Sequence, residues 1–98
     1  MSYIELATFS LLPNADSNSM VEAETQIQTE VGPSHAGYVG RKLFRKADGS
    51  YLLLMHWADE QAANTWNKTL FASPAGPKMF SLVDPKTMAK EVISEVTA

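Results

Sequence analysis

Met55-His56-Trp57-Ala58-Asp59-Glu60-Gln61-Ala62-Ala63-Asn64-Thr65-Trp66 decides how this chain is read. Large apolar residues run up to Trp57 in the manner of a strand. Asp59 then offers a short side-chain oxygen to the free amides of a helix start. Ala62, Ala63, Trp66 and Leu70 recur at helical spacing, which predicts a helix over roughly residues 59–72 with one buried stripe. One tryptophan stands at the mouth of that helix and the other lies about two turns in.

Working backwards, residues 37–46 and 50–57 read as two strands joined through Ala47-Asp48-Gly49. Asp-Gly tolerates positive φ at both central positions of a tight turn and signals a hairpin. Residues 3–12 read as the first strand, and Pro13-Asn14 ends it. Asp16, Ser17, Asn18 and Ser19 each offer an N-cap oxygen, and Ser19 with Glu22 fits a capping box opening a first helix. Met20, Ala23, Ile27 and Val31 then form an apolar stripe, and Gly32-Pro33 stops it. Working forwards, Ser73-Pro74-Ala75-Gly76-Pro77 interrupts the second helix. Met79, Phe80, Leu82 and Val83 suggest one more short helical turn, and residues 86–97 read as a last strand. The order βαββαβ predicts one α+β domain over 1–98, a ferredoxin-like four-stranded antiparallel sheet.

The third strand bears on assembly. Tyr51, Leu53, Met55 and Trp57 point to one face, and Leu52, Leu54 and His56 to the other. Both faces are largely apolar, yet two short helices cover only one. Leaving three or four large side chains bare forfeits about 1.5–3 kcal/mol each. A second copy is the simplest cover, so a homodimer with a dimeric α/β-barrel architecture is expected.

Composition closes off several function classes. The 98 residues are 45% apolar and 19% charged, as in an ordinary globular chain. A net charge of −3 provides no footprint for nucleic acid or an anionic membrane. The cluster Arg41, Lys42, Arg45 and Lys46 reads as a solvated strand face. RNA-recognition domains share the βαββαβ order, but they stack bases on exposed aromatics where Tyr51-Leu52-Leu53-Leu54-Met55 stands here. The chain has no cysteine, so disulfides, thiolate metal sites and thiol nucleophiles are excluded. No basic, apolar leader opens it and no run of 18 apolar residues occurs, so a cytoplasmic, membrane-free location is expected.

Only His35 and His56 have imidazoles, and neither has a metal-ligand partner one helical turn away, so no metal is expected. His56, at the end of an apolar strand, is the candidate catalytic base for an acidic phenol or enol. His35 follows Pro33-Ser34 in a loop and is expected in solvent. Trp57, Trp66, Met79 and Phe80 are candidate walls of a flat, mostly apolar pocket between helices and sheet, suited to a small aromatic ligand. No nucleophile elbow and no glycine-rich phosphate loop is present.

Trp57-Ala58-Asp59-Glu60-Gln61-Ala62, followed by Trp66 and then by Ser73-Pro74 and Phe80, resembles the antibiotic-biosynthesis monooxygenase-like family of dimeric α/β barrels. In that family the third strand commonly ends in W-x-S/D-x-x-A. The resemblance is sharpest over residues 51–80. It implies oxygenation of a flat aromatic or polyketide-like substrate without metal, flavin or other cofactor. Haem-degrading members carry a first-strand asparagine, a second-helix tryptophan and a histidine ligand ten residues beyond it. Here Trp66 matches the tryptophan, but Gly76 stands at the ligand position and the first strand reads Ala7-Thr8-Phe9. Haem degradation is therefore not expected. A non-catalytic ligand-binding or stress-response barrel is the competing expectation.

Overall fold

A computed structural model describes residues 2–96. Four strands, β1 (Tyr3–Phe9), β2 (Tyr38–Arg45), β3 (Tyr51–Trp57) and β4 (Ala89–Ile93), form one sheet in the order β2-β3-β1-β4. All three pairings are antiparallel. Helices α1 (Ser17–Gln26), α2 (Glu60–Ala72) and α3 (Ala75–Leu82) pack on one face of the sheet. This is the ferredoxin-like α+β fold, with a third helix longer than the single turn expected.

Alternation decides which side of each strand is buried. On β3, Tyr51, Leu53, Met55 and Trp57 are buried under the helices, while Leu52, Leu54 and His56 are only half-buried on the other face. On β1, Glu5, Ala7 and Phe9 share the helix side. Met20, Ala23, Ile27 and Val31 supply the facing stripe from α1 and the π-helical turn Ile27–Val31 that extends it. Ala62, Trp66 and Leu70 do the same from α2.

Several boundaries differ from the sequence reading, each for a local reason. Asp16, not Ser19, caps α1, its carboxylate accepting from the Asn18 amide at 3.1 Å. Gly32-Pro33 does not stop the chain's helical path at once, because a 3-10 turn runs on through Gly32–Ser34. β1 ends at Phe9, and Leu11 makes only an isolated bridge to Val83. Five residues join β2 to β3, and the Lys46 amide donates to the Ser50 carbonyl to close the turn over Ala47, Asp48 and Gly49. Gly49 alone takes positive φ, at 90°, and its amide donates to the Lys46 carbonyl, which leaves Asp48 in an ordinary conformation. Only Ser73-Pro74 separates α2 from α3. Pro77 falls in the first turn of α3, where an amide has no intrahelical acceptor to lose. Pro85–Thr87 is a 3-10 turn, opened by the Asp84 carboxylate accepting from the Lys86 amide, so β4 begins at Ala89 and ends at Ile93. Of the expected last strand, Thr97 lies outside the described residues.

The largest departure is Arg41. It was grouped with the solvated basic residues of β2, but it faces the helices opposite Met55, its side chain 2% exposed. Nε donates to Glu24 Oε2 at 2.8 Å and Nη2 to Oε1 at 3.0 Å, so the guanidinium grips the α1 carboxylate with two bonds. Gln28 Nε2 adds a third bond to Glu24 at 2.9 Å. Burying either charge alone costs far more than burying the pair. Glu24→Ala should therefore lower stability by about 3–5 kcal/mol, because it strands a buried guanidinium. Glu24→Met with Arg41→Met should recover most of that loss. Urea unfolding of the three proteins checks both outcomes.

Candidate functional site

Between the helix layer and the sheet lies a cavity of ≈ 210 Å³. Its floor is the helix-side row of the sheet: Ala7 and Phe9 of β1, Leu53 and Met55 of β3, with Arg41 and Lys90 at the flanking strands. Trp66, Asn67 and Leu70 of α2 and Met79 and Phe80 of α3 form the roof. Val83 and Met88 complete the wall. Phe80 is 44% exposed and Met88 38%, which sets the mouth at their end. The Phe80 ring meets Phe71 at 5.0 Å between centroids.

The sequence candidates divide in two. Trp66, Met79 and Phe80 line the cavity together. Trp57 lies behind it, packed against Trp66 at 5.1 Å between centroids, with its indole N–H donating to Glu5 Oε1 at 2.9 Å. His56 is on the other side of the sheet. It pairs across the ladder with Ile4 and Gly40, and its Nε2 is buried without a hydrogen-bond partner. A general base has to come within hydrogen-bond reach of the proton it takes, directly or through one water. The sheet stands between His56 and the cavity, so the imidazole is not positioned to act there.

His35 is likewise not the exposed loop residue expected. Its Nε2 lies 2.8 Å from the Ala62 carbonyl and its Nδ1 2.7 Å from the Thr69 hydroxyl. A carbonyl can only accept, so Nε2 carries a proton, while the Thr69 hydroxyl is able to serve Nδ1 as either donor or acceptor. The ring also meets Trp57 and Trp66 edge-on, at 5.7 and 5.3 Å. His35 thus pins the loop before β2 to α2 and holds the two tryptophans in place. Tyr38 stacks on Trp66 at 6.3 Å, and burial raises its phenol pKa against the lowering pull of Arg41, so it stays protonated at neutral pH.

The polar groups of the cavity are those the sequence reading passed over. Arg41 lies 5.9 Å from the Trp66 ring centroid and donates through Nη2 to Met79 Sδ at 3.4 Å. Lys90 Nζ reaches Glu5 Oε2 at 2.8 Å. One signal could have exposed the first pair. Glu24 falls on the same helical stripe as Met20 and Ile27, and a carboxylate there calls for a buried cation opposite. Among the described residues no group of three His, Cys, Asp or Glu side chains could hold a metal.

With this geometry in place, the comparisons place the fold. No family model matches the sequence, and no curated protein matches it. Solved structures do. The cofactor-independent oxygenase SnoaB from Streptomyces nogalater superimposes with a TM-score of 0.74 at 14% identity, over 99% of this chain and 95% of that one. A putative antibiotic biosynthesis monooxygenase from Caulobacter crescentus CB15 superimposes with a TM-score of 0.77 at 18% identity, over 98% and 91%. Rv0793 from Mycobacterium tuberculosis superimposes at 0.70 and 17%, over 100% and 98%. The chain therefore has the fold of antibiotic-biosynthesis-monooxygenase-like proteins.

Gly76 gives the haem expectation a structural reason. A Cβ at this position would collide with the Leu70 carbonyl oxygen, so the first turn of α3 admits no side chain there, ligating or not. Haem iron needs an axial donor such as histidine. Titration with haem should give no sharp Soret shift. A histidine-ligated spectrum at one haem per chain, abolished by His56→Ala, would overturn this.

Proposed function

We propose that this protein is a cofactor-independent monooxygenase acting on a flat aromatic or polyketide-like substrate in the cavity beneath Trp66. The observation that carries the reading is the cavity itself, walled by Trp66, Met79 and Phe80 and holding few polar groups. Such a slot suits a planar ring system. The same fold in SnoaB, described as a cofactor-independent oxygenase, supports it. An electron-rich phenolate or enolate can itself pass an electron to dioxygen. A ring CH2 then becomes a carbonyl, with one oxygen atom retained and the other released as water. The chain's part is to bind, desolvate and orient the substrate anion.

One observation favours the competing reading, a barrel that binds a ligand without turning it over. The cavity is lined by no histidine or carboxylate. Oxygen uptake with a panel of hydroxyquinols and anthrones separates the two. Turnover should appear with at least one of them and fall by about 10²-fold or more in Trp66→Ala, through lost positioning. Ligand binding without oxygen uptake anywhere in the panel would establish the binding barrel instead.

The homodimer belongs to the same proposal. The sheet face away from the helices offers Ile4, Leu6, Leu52 and Leu54, none fully buried, together with the unpartnered His56 Nε2. Across one row of that face run Lys42, Leu54, Leu6 and Glu91, with opposite charges at the two edges. A two-fold axis along the strands sets β2 of one subunit over β4 of the other, so Lys42 meets Glu91 of the partner subunit twice. Such an arrangement is self-complementary. Sedimentation should give a dimer of the 10.8 kDa chain, and Leu54→Asp should release the monomer. A stable wild-type monomer at micromolar concentration would remove the claim.

A further inference from the structure

The cavity's two ion pairs point the same way. Arg41 and Lys90 line it; their carboxylates, Glu24 and Glu5, do not. Glu24 is occupied by two bonds from Arg41 and one from Gln28. Glu5 is occupied by the Trp57 indole and Lys90. Each pair is neutral as a whole, yet each turns its positive end toward the cavity and its negative end into the protein. In a mostly apolar, poorly screened space such aligned dipoles act strongly on a charged ligand.

Arg41 also has donor capacity left over. Nε and Nη2 are taken by Glu24 and Met79, whereas Nη1 has no partner among the described residues. It is not among the fully buried, unpartnered atoms either, so Nη1 remains accessible on a residue that lines the cavity. Lys90, its side chain about half exposed, stands on the flanking β4 with two ammonium protons free beyond the one given to Glu5. Asn67 is the remaining polar lining residue, and its amide is no base.

We infer that the ligand enters as an oxyanion, an aromatic whose ionised carboxyl, enol or phenol group is drawn to the cationic lining of the cavity, Lys90 above all, while its rings lie under Trp66. The inference rests on the cavity being the ligand site, as proposed above, and it adds the charge. A wall without a base cannot deprotonate a neutral guest, but it can select one that is already ionised.

Calorimetric titration with 2-naphthoate and with its neutral isostere 2-naphthamide tests the charge apart from the shape. The carboxylate should bind about tenfold tighter or better, a typical gain from a charge-assisted contact. Lys90→Met should remove most of that preference while leaving the affinity for the amide within about twofold. Glu5→Gln with Lys90→Met removes both charges of the pair and should lose the preference too, which separates loss of the ammonium from exposure of the Glu5 carboxylate. Equal affinity for the two probes would overturn the oxyanion inference and leave the aromatic site standing. A preference untouched by either variant would place charge recognition elsewhere and overturn it as well. Binding of neither probe would sink the inference and the cavity reading together.

Discussion

The bond between Arg41 and Glu24 is the constraint around which this molecule is arranged. It joins the middle of β2 to the last turn of α1 across the core, with both side chains under 5% exposed. Two hydrogen bonds with a planar fork fix distance and rotation together, which apolar contact cannot do. The helix layer is thereby keyed to the sheet in one register. The guanidinium then touches the Met79 sulfur and lies by the Trp66 ring, so the same group sets where α2 and α3 rest above the sheet. The cavity is the space this keyed arrangement leaves between them.

A second polar thread runs beside the first. The Trp57 indole, the Glu5 carboxylate and the Lys90 ammonium form a chain across β3, β1 and β4, three adjacent strands. Glu5 is buried, and a donor on each side of its carboxyl group offsets the loss of water there. Charges within a small core usually weaken it. Here both carboxylates are satisfied on the protein side, while Arg41 and Lys90 line the cavity.

Legibility in the sequence followed the kind of signal involved. Period-two and period-3.6 patterns are written by many residues at once, so β3, the Asp59-capped α2 and the stripe of α1 were all readable. Trp66, Met79 and Phe80 were legible as cavity walls because a helix start fixes which residues face inward. Element ends were less so: Asp16 rather than Ser19 caps α1, and the Asp84-Pro85 turn shortens the last strand. These choices hang on single hydrogen bonds that no periodicity announces. Arg41 was misread because basic neighbours on a strand resemble a wet face, although alternation puts Arg41 and Lys42 on opposite sides. His56 fell to the same rule. Its even position places it with Leu52 and Leu54, away from the odd-numbered residues that meet the helices.

That parity divides the labour of the sheet. Odd positions of β1 and β3 face the helices and build the cavity floor; even positions build an apolar face with one orphaned imidazole nitrogen. A buried nitrogen without a partner costs about 1–3 kcal/mol unless something supplies one. Among the described residues, the fully buried side-chain nitrogens and oxygens on the helix side are paired, down to the indole of Trp57. The contrast locates the unfinished side of the molecule. The helices bury the odd-numbered row of β3, whereas Leu52, Leu54 and His56 on the opposite face stay only half-buried. The cavity and the half-buried apolar row thus lie on opposite faces of one four-stranded sheet, a single layer of backbone apart.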